Sequence, residues 1–151
     1  MKELTLPQYS YKIAGNEGSK TIFDPIRRKY VRLTPEEWVR QHFINYLIVY
    51  GKYPAGLIGV EVPFTMNKMK KRLDILIHDR SGKPLMIIEC KEPEIKLDGK
   101  VFDQIVVYNM QFRVPYLIVT NGIQNFACRM NFEDNSREDL EIIPQYDELL
   151  R

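Results

Sequence analysis

The alternation of apolar and polar positions divides the chain into two helical stretches and a series of short strands. Apolar residues recur at helical spacing from Thr34 to about Tyr50 and from Asp98 to about Phe112. Short apolar runs between turn residues predict strands near residues 22–23, 30–33, 57–64, 73–78, 85–90, 116–120 and 126–130, and a closing helix at 146–150. From residue 34 onward, the order α-β-β-β-α-β-β indicates an α/β fold with a mixed central sheet flanked by helices.

The first helix has clear start and stop signals. Thr34 suits the N-cap, Pro35 suits the first helical position, and Glu37 completes a Thr-x-x-Glu capping box. Gly51 is expected to end the helix near Tyr50.

Length and composition indicate one globular domain. With 151 residues, of which 44% are hydrophobic, the chain can bury a core without disulfides or metals. Residues 1–21 are polar and glycine-rich, so we expect an N-terminal arm there and a single domain at 22–151. Cysteines and histidines stand alone, which argues against a zinc framework. No apolar stretch is of membrane-spanning length and no signal-peptide core is present, so we expect a cytoplasmic protein without a membrane partner.

The net charge of +2 is too small to indicate a polyanionic partner, but two local clusters are basic. Arg27, Arg28 and Lys29 lie close to Arg32, and the second cluster comprises Lys68, Lys70, Lys71 and Arg72. Such runs are more often a solvated face, although either cluster would suit phosphate groups.

Three acids are predicted to lie side by side on neighbouring strands. A turn centred between residues 81 and 82 pairs Asp74 with Glu89, and one centred between residues 67 and 68 pairs Glu61 with Asp74. Like charges at cross-strand spacing repel, so a cation or a proton must offset them, and carboxylate oxygens suit magnesium. The same register sets Arg72 opposite Lys91.

These residues also carry a family resemblance. Asp74, fourteen intervening residues and then Glu89-Cys90-Lys91 resemble the core motif of the PD-(D/E)XK nuclease superfamily, and Gln104-x-x-x-Tyr108 resembles a signature of its restriction and repair branch. The longer stretches TPEEWVRQHFINYLI, VEVPF, RLDILIHDRSGKPLMIIECKEP and PYLIVTNG are similar to the N-terminal nuclease domain of type I restriction enzyme R subunits. The resemblance spans roughly residues 30–122 and implies a restriction-endonuclease-like fold.

The resemblance implies metal-dependent phosphodiester hydrolysis. Asp74, Glu89 and the Cys90 backbone carbonyl would hold Mg²⁺ or Mn²⁺. Lys91 would position or deprotonate the attacking water, or stabilise the transition state; alternatively, it belongs to a structural ion network. Glu61 would support the site.

A further carboxylate is expected from the first helix. Glu36 falls on the predicted sheet-facing stripe, whereas Glu37 lies about 100° away and has a capping role, so Glu36 is the better candidate. The alternative is that Glu36 forms an exposed i,i+4 pair with Arg40.

The remaining assignments concern support and DNA contact. Gln104 and Tyr108, one helical turn apart, would support the site or contact DNA, unless Tyr108 merely extends a core stripe. The four basic residues that would contact DNA phosphates are Lys68, Lys70, Lys71 and Arg72.

Two other functions stay open at this point. One is a non-catalytic or partner-dependent nucleic-acid-binding or assembly module, and the other is a small-molecule metal hydrolase, which lacks the usual additional His or Asp ligands. No helicase motor is encoded in this sequence, so we expect a separate helicase, translocase or restriction-system subunit as a partner; a homodimer is left open.

Overall fold

The computed structural model describes all residues, 1–151, as two sheets and two long helices. The first sheet is formed by β1 (Ile13–Ala14), β2 (Thr21–Asp24) and β3 (Lys29–Arg32). The second has the strand order β4 (Ile58–Met66), β5 (Met69–His78), β6 (Pro84–Cys90), β7 (Tyr116–Thr120), β8 (Asn125–Asn131) and β9 (Ser136–Leu140). The helices are α1 (Pro35–Val49) and α2 (Gly99–Phe112), and 3₁₀ turns span Ala55–Leu57 and Tyr146–Leu150.

The larger sheet is mixed and is covered on both faces, as predicted. Only β6 and β7 run parallel, and α2 forms the crossover between them. On one face, Val39 and Phe43 of α1 pack with Ile75 and Ile88 in one apolar cluster. On the other face, α2 contributes to a second cluster, which also holds residues from β5, β6 and β7. The two clusters fix the sheet between the helices.

Both hairpins follow the predicted registers beside the acids, but the predicted pairing of Glu61 with Asp74 is wrong, and the β5–β6 register shifts by one residue at His78. Ile75 pairs with Ile88, which sets Asp74 and Glu89 at the next position, and Val60 pairs with Ile75. The predicted strands 57–64 and 73–78 are too short, because β4 and β5 continue to a two-residue turn at 67–68. Residues 65–72 lack the apolar alternation of a half-buried strand, yet they continue the β4–β5 ladder. The turn is centred between residues 67 and 68, as predicted.

The β4–β5 ladder is irregular beside the acids. Val60 and Val62 are paired, but Glu61 between them is not, and its φ of 55° is left-handed. Strict alternation would set Leu73 and Leu76 on opposite faces, yet both belong to the α2-side cluster. A glutamate in left-handed backbone stores about 1–3 kcal/mol of strain, and this strain lies next to Asp74.

The first 21 residues make defined contacts with the rest of the chain. The Trp38 indole N–H donates to the Lys2 carbonyl at 2.9 Å, and the Thr5 amide donates to the Gly122 carbonyl at 2.9 Å. Leu6 is buried in the α1-side cluster. Neither α1 nor α2, nor any other helix, is long and apolar enough to cross a membrane.

Candidate active site

The site begins with two carboxylates on adjacent strands. Asp74 and Glu89 are 5% and 8% exposed, although both are acids. The Cys90 backbone N–H donates to Asp74 Oδ2 at 2.7 Å, so the end of β6 holds one oxygen of the aspartate. Glu89 Oε2 is buried and accepts no hydrogen bond. An unpartnered buried carboxylate oxygen is costly unless something else binds it.

Burial also changes the ionisation of Glu89. The pKa of Glu89 is raised to about 9. The largest cause is removal from water, and the next are the charge of Asp74 and a hydrogen bond with it. The nearby Lys91 opposes this shift, with its Nζ 3.9 Å from Glu89 Oε1. The pair therefore shares a proton or requires a nearby cation.

A chain of hydrogen bonds positions Lys91. Its Nζ donates to Gln104 Oε1 at 3.2 Å, and Gln104 Nε2 donates to the Tyr108 hydroxyl at 3.2 Å. Tyr108 is itself buried, and its ring packs edge-on against Phe64 at 5.2 Å. The predicted helical pair thus meets the predicted lysine, and Tyr108 contributes to the core as well.

Arg40 is a cation that sequence reasoning did not place at the site. Its side chain is 5% exposed, and Nη2 donates to Asp74 Oδ1 at 2.8 Å and to Glu61 Oε1 at 2.6 Å. It also reaches Glu36 Oε1 at 3.1 Å and Glu37 Oε1 at 2.6 Å. The surrounding acids raise the Arg40 pKa against the opposing effect of burial. Arg40 therefore already supplies part of the positive charge that the acids need.

Glu37 extends this network away from the sheet. Its Oε1 accepts from Arg27 Nη2 at 2.7 Å, and Arg27 Nε donates to Asp24 Oδ2 at 2.6 Å. Gln41 Nε2 donates to the other Glu37 oxygen at 3.0 Å. Thr34 Oγ1 accepts a hydrogen bond from the Glu37 backbone N–H at 3.0 Å, as a capping box requires. The Glu37 carboxylate, however, binds the two arginines rather than the N-cap amide. A buried path of ion pairs thus runs from Asp24 through Arg40 to Asp74.

The two helix acids occupy different environments. The Glu37 side chain is 7% exposed and is saturated by donors, whereas the Glu36 side chain is 47% exposed. Glu36 makes the i,i+4 pair with Arg40 that was the alternative to a role at the site. It also lies near the acids, because it shares Arg40 Nη2 with Asp74, and burial and then the charge of Asp74 raise its pKa.

The predicted phosphate contacts lie on the β4–β5 hairpin. Lys68, Lys70 and Arg72 are exposed and Lys71 is half-buried. Arg72 Nη1 lies 3.4 Å from Glu61 Oε2, which connects this basic hairpin to the acids.

The chemistry of the carboxylates suits a divalent ion. Magnesium prefers oxygen ligands and is commonly held by one or two carboxylates, with water and phosphate oxygens completing its shell. Glu89 Oε2 is free to bind one, while Asp74 Oδ1 is engaged by Arg40. No group of three or more His, Cys, Asp or Glu side chains is arranged to hold a metal ion.

Comparisons with known proteins agree with this architecture. The family model described as type I restriction enzyme R protein N terminus matches residues 35–144. A similar solved structure is a fragment of a protein described as an HsdR subunit of a type I restriction enzyme from Vibrio vulnificus YJ016, with a TM-score of 0.59 and 19% identity over 78% of this chain. This chain spans 25% of that chain, and the likeness confirms the predicted fold class. No curated protein matches the chain.

Proposed function

Because the chain belongs to the family of type I restriction enzyme R protein N-terminal regions, we propose that it is a metal-dependent DNA nuclease domain of the PD-(D/E)XK type. It hydrolyses phosphodiester bonds, in restriction or DNA repair. The observation that carries the proposal is the pairing of Asp74 with Glu89, whose Oε2 is buried and unpartnered, close to the Lys91 ammonium. Two buried carboxyl groups side by side repel when both are ionised, so this pair needs a proton or a cation to offset its charge.

Each residue has a defined part in the proposed reaction. Asp74, Glu89 and the Cys90 carbonyl would hold Mg²⁺ or Mn²⁺. When bound, a divalent ion lowers the pKa of a water molecule and neutralises charge that develops on the phosphate. Lys91 Nζ would orient the attacking water, and Gln104 fixes its direction through the 3.2 Å hydrogen bond. Glu36, exposed at the rim, would accept a proton from water that enters the site.

DNA is the proposed substrate, and the basic hairpin would hold its backbone. Lys68, Lys70, Lys71 and Arg72 would pair with phosphates, which gives salt-dependent binding without sequence preference. Glu61 links this hairpin to the acids through Arg72 and Arg40. The proposed partners are DNA and a separate helicase, translocase or restriction-system subunit.

A second candidate function is a partner-dependent DNA-binding module without independent cleavage. It is favoured by Arg40, whose Nη2 occupies Asp74 Oδ1 and Glu61 Oε1 and so neutralises acids that a metal would otherwise need to offset. In this case the site cleaves DNA only after a partner or DNA moves the Arg40 guanidinium away from the acids.

The test is cleavage of supercoiled, linear and single-stranded DNA with Mg²⁺ or Mn²⁺. Wild type is compared with Lys91→Ala and with Lys96→Ala, which removes an exposed lysine from the same loop. We expect wild type and Lys96→Ala to cut and Lys91→Ala to fail. Binding without cleavage by wild type would move the assignment to the second candidate. Equal cutting by all three proteins would refute the assigned site.

A further inference from the structure

The small N-terminal sheet has one buried and one outward face. Ile22 and Asp24 are fully buried. Phe23, between them, points the other way and pairs with Tyr30 of β3, while Thr21 pairs with Arg32. These register positions gather an aromatic pair and a basic residue on the outward face.

The outward face presents Tyr30 to solvent. Its side chain is 47% exposed, and its ring meets Phe23 at 5.3 Å with the planes 67° apart. Lys12 flanks the pair, because the Phe23 amide donates to the Lys12 carbonyl at 2.9 Å and Lys12 Nζ lies 5.7 Å from the Phe23 ring. Lys12, Phe23, Tyr30 and Arg32 together are called the aromatic hairpin face.

This region carries positive charge that no acid neutralises. Residues 12–32 contain six lysines and arginines but only two acids, Glu17 and Asp24. Asp24 is bonded to Arg27 on the buried side. None of the other five cations has an acidic side chain within 4.0 Å, and these are Lys12, Lys20, Arg28, Lys29 and Arg32. Glu17 is exposed and lines a shallow groove with Lys20 and Arg32.

An exposed tyrosine ring among unpaired cations suits a single-stranded nucleic acid. Bases stack on aromatic rings borne by a sheet while basic side chains follow the phosphates. A duplex hides its base faces, so it would use the cations but not Tyr30. An acidic peptide would also use the cations, but it gains little from stacking.

We propose that the aromatic hairpin face binds a single-stranded nucleic acid, with one base stacked on Tyr30 and neighbouring phosphates paired with Lys12 and Arg32. Arg27, in the turn of the same hairpin, is bonded to Glu37, and Glu37 is bonded to Arg40 at the acid site. These ion pairs connect the hairpin to the proposed nuclease site. This binding proposal rests on the proposed function only for its biological setting, because the binding needs no metal.

The test is binding of a labelled single-stranded oligonucleotide in EDTA, measured by fluorescence anisotropy. Tyr30→Ala should weaken binding at least about fivefold, the lower end expected for loss of one stacked base, while Tyr30→Phe should retain it. Tyr50→Ala is the matched control, because Tyr50 is 49% exposed and also packs on a neighbouring tyrosine. Replacing Lys12 and Arg32 by glutamine should reduce the salt slope by about 1.4, at about 0.7 for each phosphate contact.

Three outcomes would overturn the proposal. The first is that Tyr30→Ala binds the oligonucleotide as tightly as wild type does. The second is that Tyr30→Ala weakens binding of a duplex as much as it weakens binding of the single strand. The third is that an acidic peptide binds more tightly than the oligonucleotide. Because cleavage plays no part in this assay, the two hypotheses fail separately. Tyr30-dependent binding by a protein that never cuts DNA would refute the nuclease but support the aromatic hairpin face.

Discussion

Arg40 gives the sharpest stability prediction. Its buried guanidinium contacts four carboxylates, but three of these have other donors. Glu37 retains Arg27 and Gln41, Glu61 retains Arg72, and Glu36 is half-exposed to water. Asp74 keeps only the Cys90 amide and the neighbouring Glu89 carboxyl group. Loss of Arg40 therefore leaves Asp74 with fewer compensating partners than the other three carboxylates.

The expected magnitude follows from burial. Removing one partner of a buried ion pair costs about 3–5 kcal/mol, so Arg40→Met should lose that much of its free energy of unfolding. For a chain of this length the melting temperature should fall by about 6–20 °C. Arg40→Lys should lose less, since it keeps the charge, but a single ammonium cannot reproduce the two-pronged guanidinium contact.

The assay is urea denaturation and thermal melting in EDTA and then in Mn²⁺. The control is Arg137→Met, which breaks a pair with Asp139 whose side chains are 48% and 79% exposed. That control should change stability by at most about 1 kcal/mol. Mn²⁺ should stabilise Arg40→Met more than wild type, because it replaces the missing cation. If Arg40→Met is no less stable than Arg137→Met, Arg40 does not offset the negative charge of the buried acids.

Three further predictions test the site and its supports. Between pH 4.5 and about 9, metal-free stability should fall as the pH rises, because folded Glu89, with its raised pKa, holds a proton that the unfolded chain releases. Glu89→Gln should flatten this profile in denaturant titrations, and an unchanged slope would contradict the pKa assignment. Lys68→Gly should raise the urea midpoint by an amount equivalent to about 1 kcal/mol, because Lys68 has a φ of 65° in the hairpin turn; a lowered midpoint would count against turn strain. Tyr108→Phe keeps the ring but removes the hydroxyl that Gln104 contacts, so it should slow cleavage by roughly tenfold at unchanged melting temperature, and a melting loss alone would indicate only a packing role.

The sequence predicted the strand registers because both turns are centred where their residues indicate. Asn67 tolerates left-handed backbone and Gly82 adopts it freely, so each hairpin has one natural centre. Once the centres are known, the period of two sets Asp74 beside Glu89, whereas the left-handed backbone at Glu61 breaks that period in β4. The adjacency of Asp74 and Glu89 can therefore be predicted from the sequence.

Arg40 was missed for a physical reason. An arginine four residues after a glutamate is typical of an exposed helix pair, and nothing in the helix itself shows that the sheet encloses it. Only the packing of α1 on the sheet brings Glu61 and Asp74 within reach of the guanidinium. β9 was missed because its SREDL sequence is polar and exposed, without the apolar alternation of a half-buried strand.

The ends of the six-stranded sheet influence how the molecule behaves at high concentration. Open sheet edges invite further strands and lead to aggregation. β4, at one edge, contains Pro63, which has no N–H, and the left-handed kink at Glu61. β9, at the other, is short and carries Arg137, Glu138 and Asp139. An incoming strand would meet a missing donor on one side and a row of charges on the other, so the kink that shapes the acid site also helps to keep separate molecules apart.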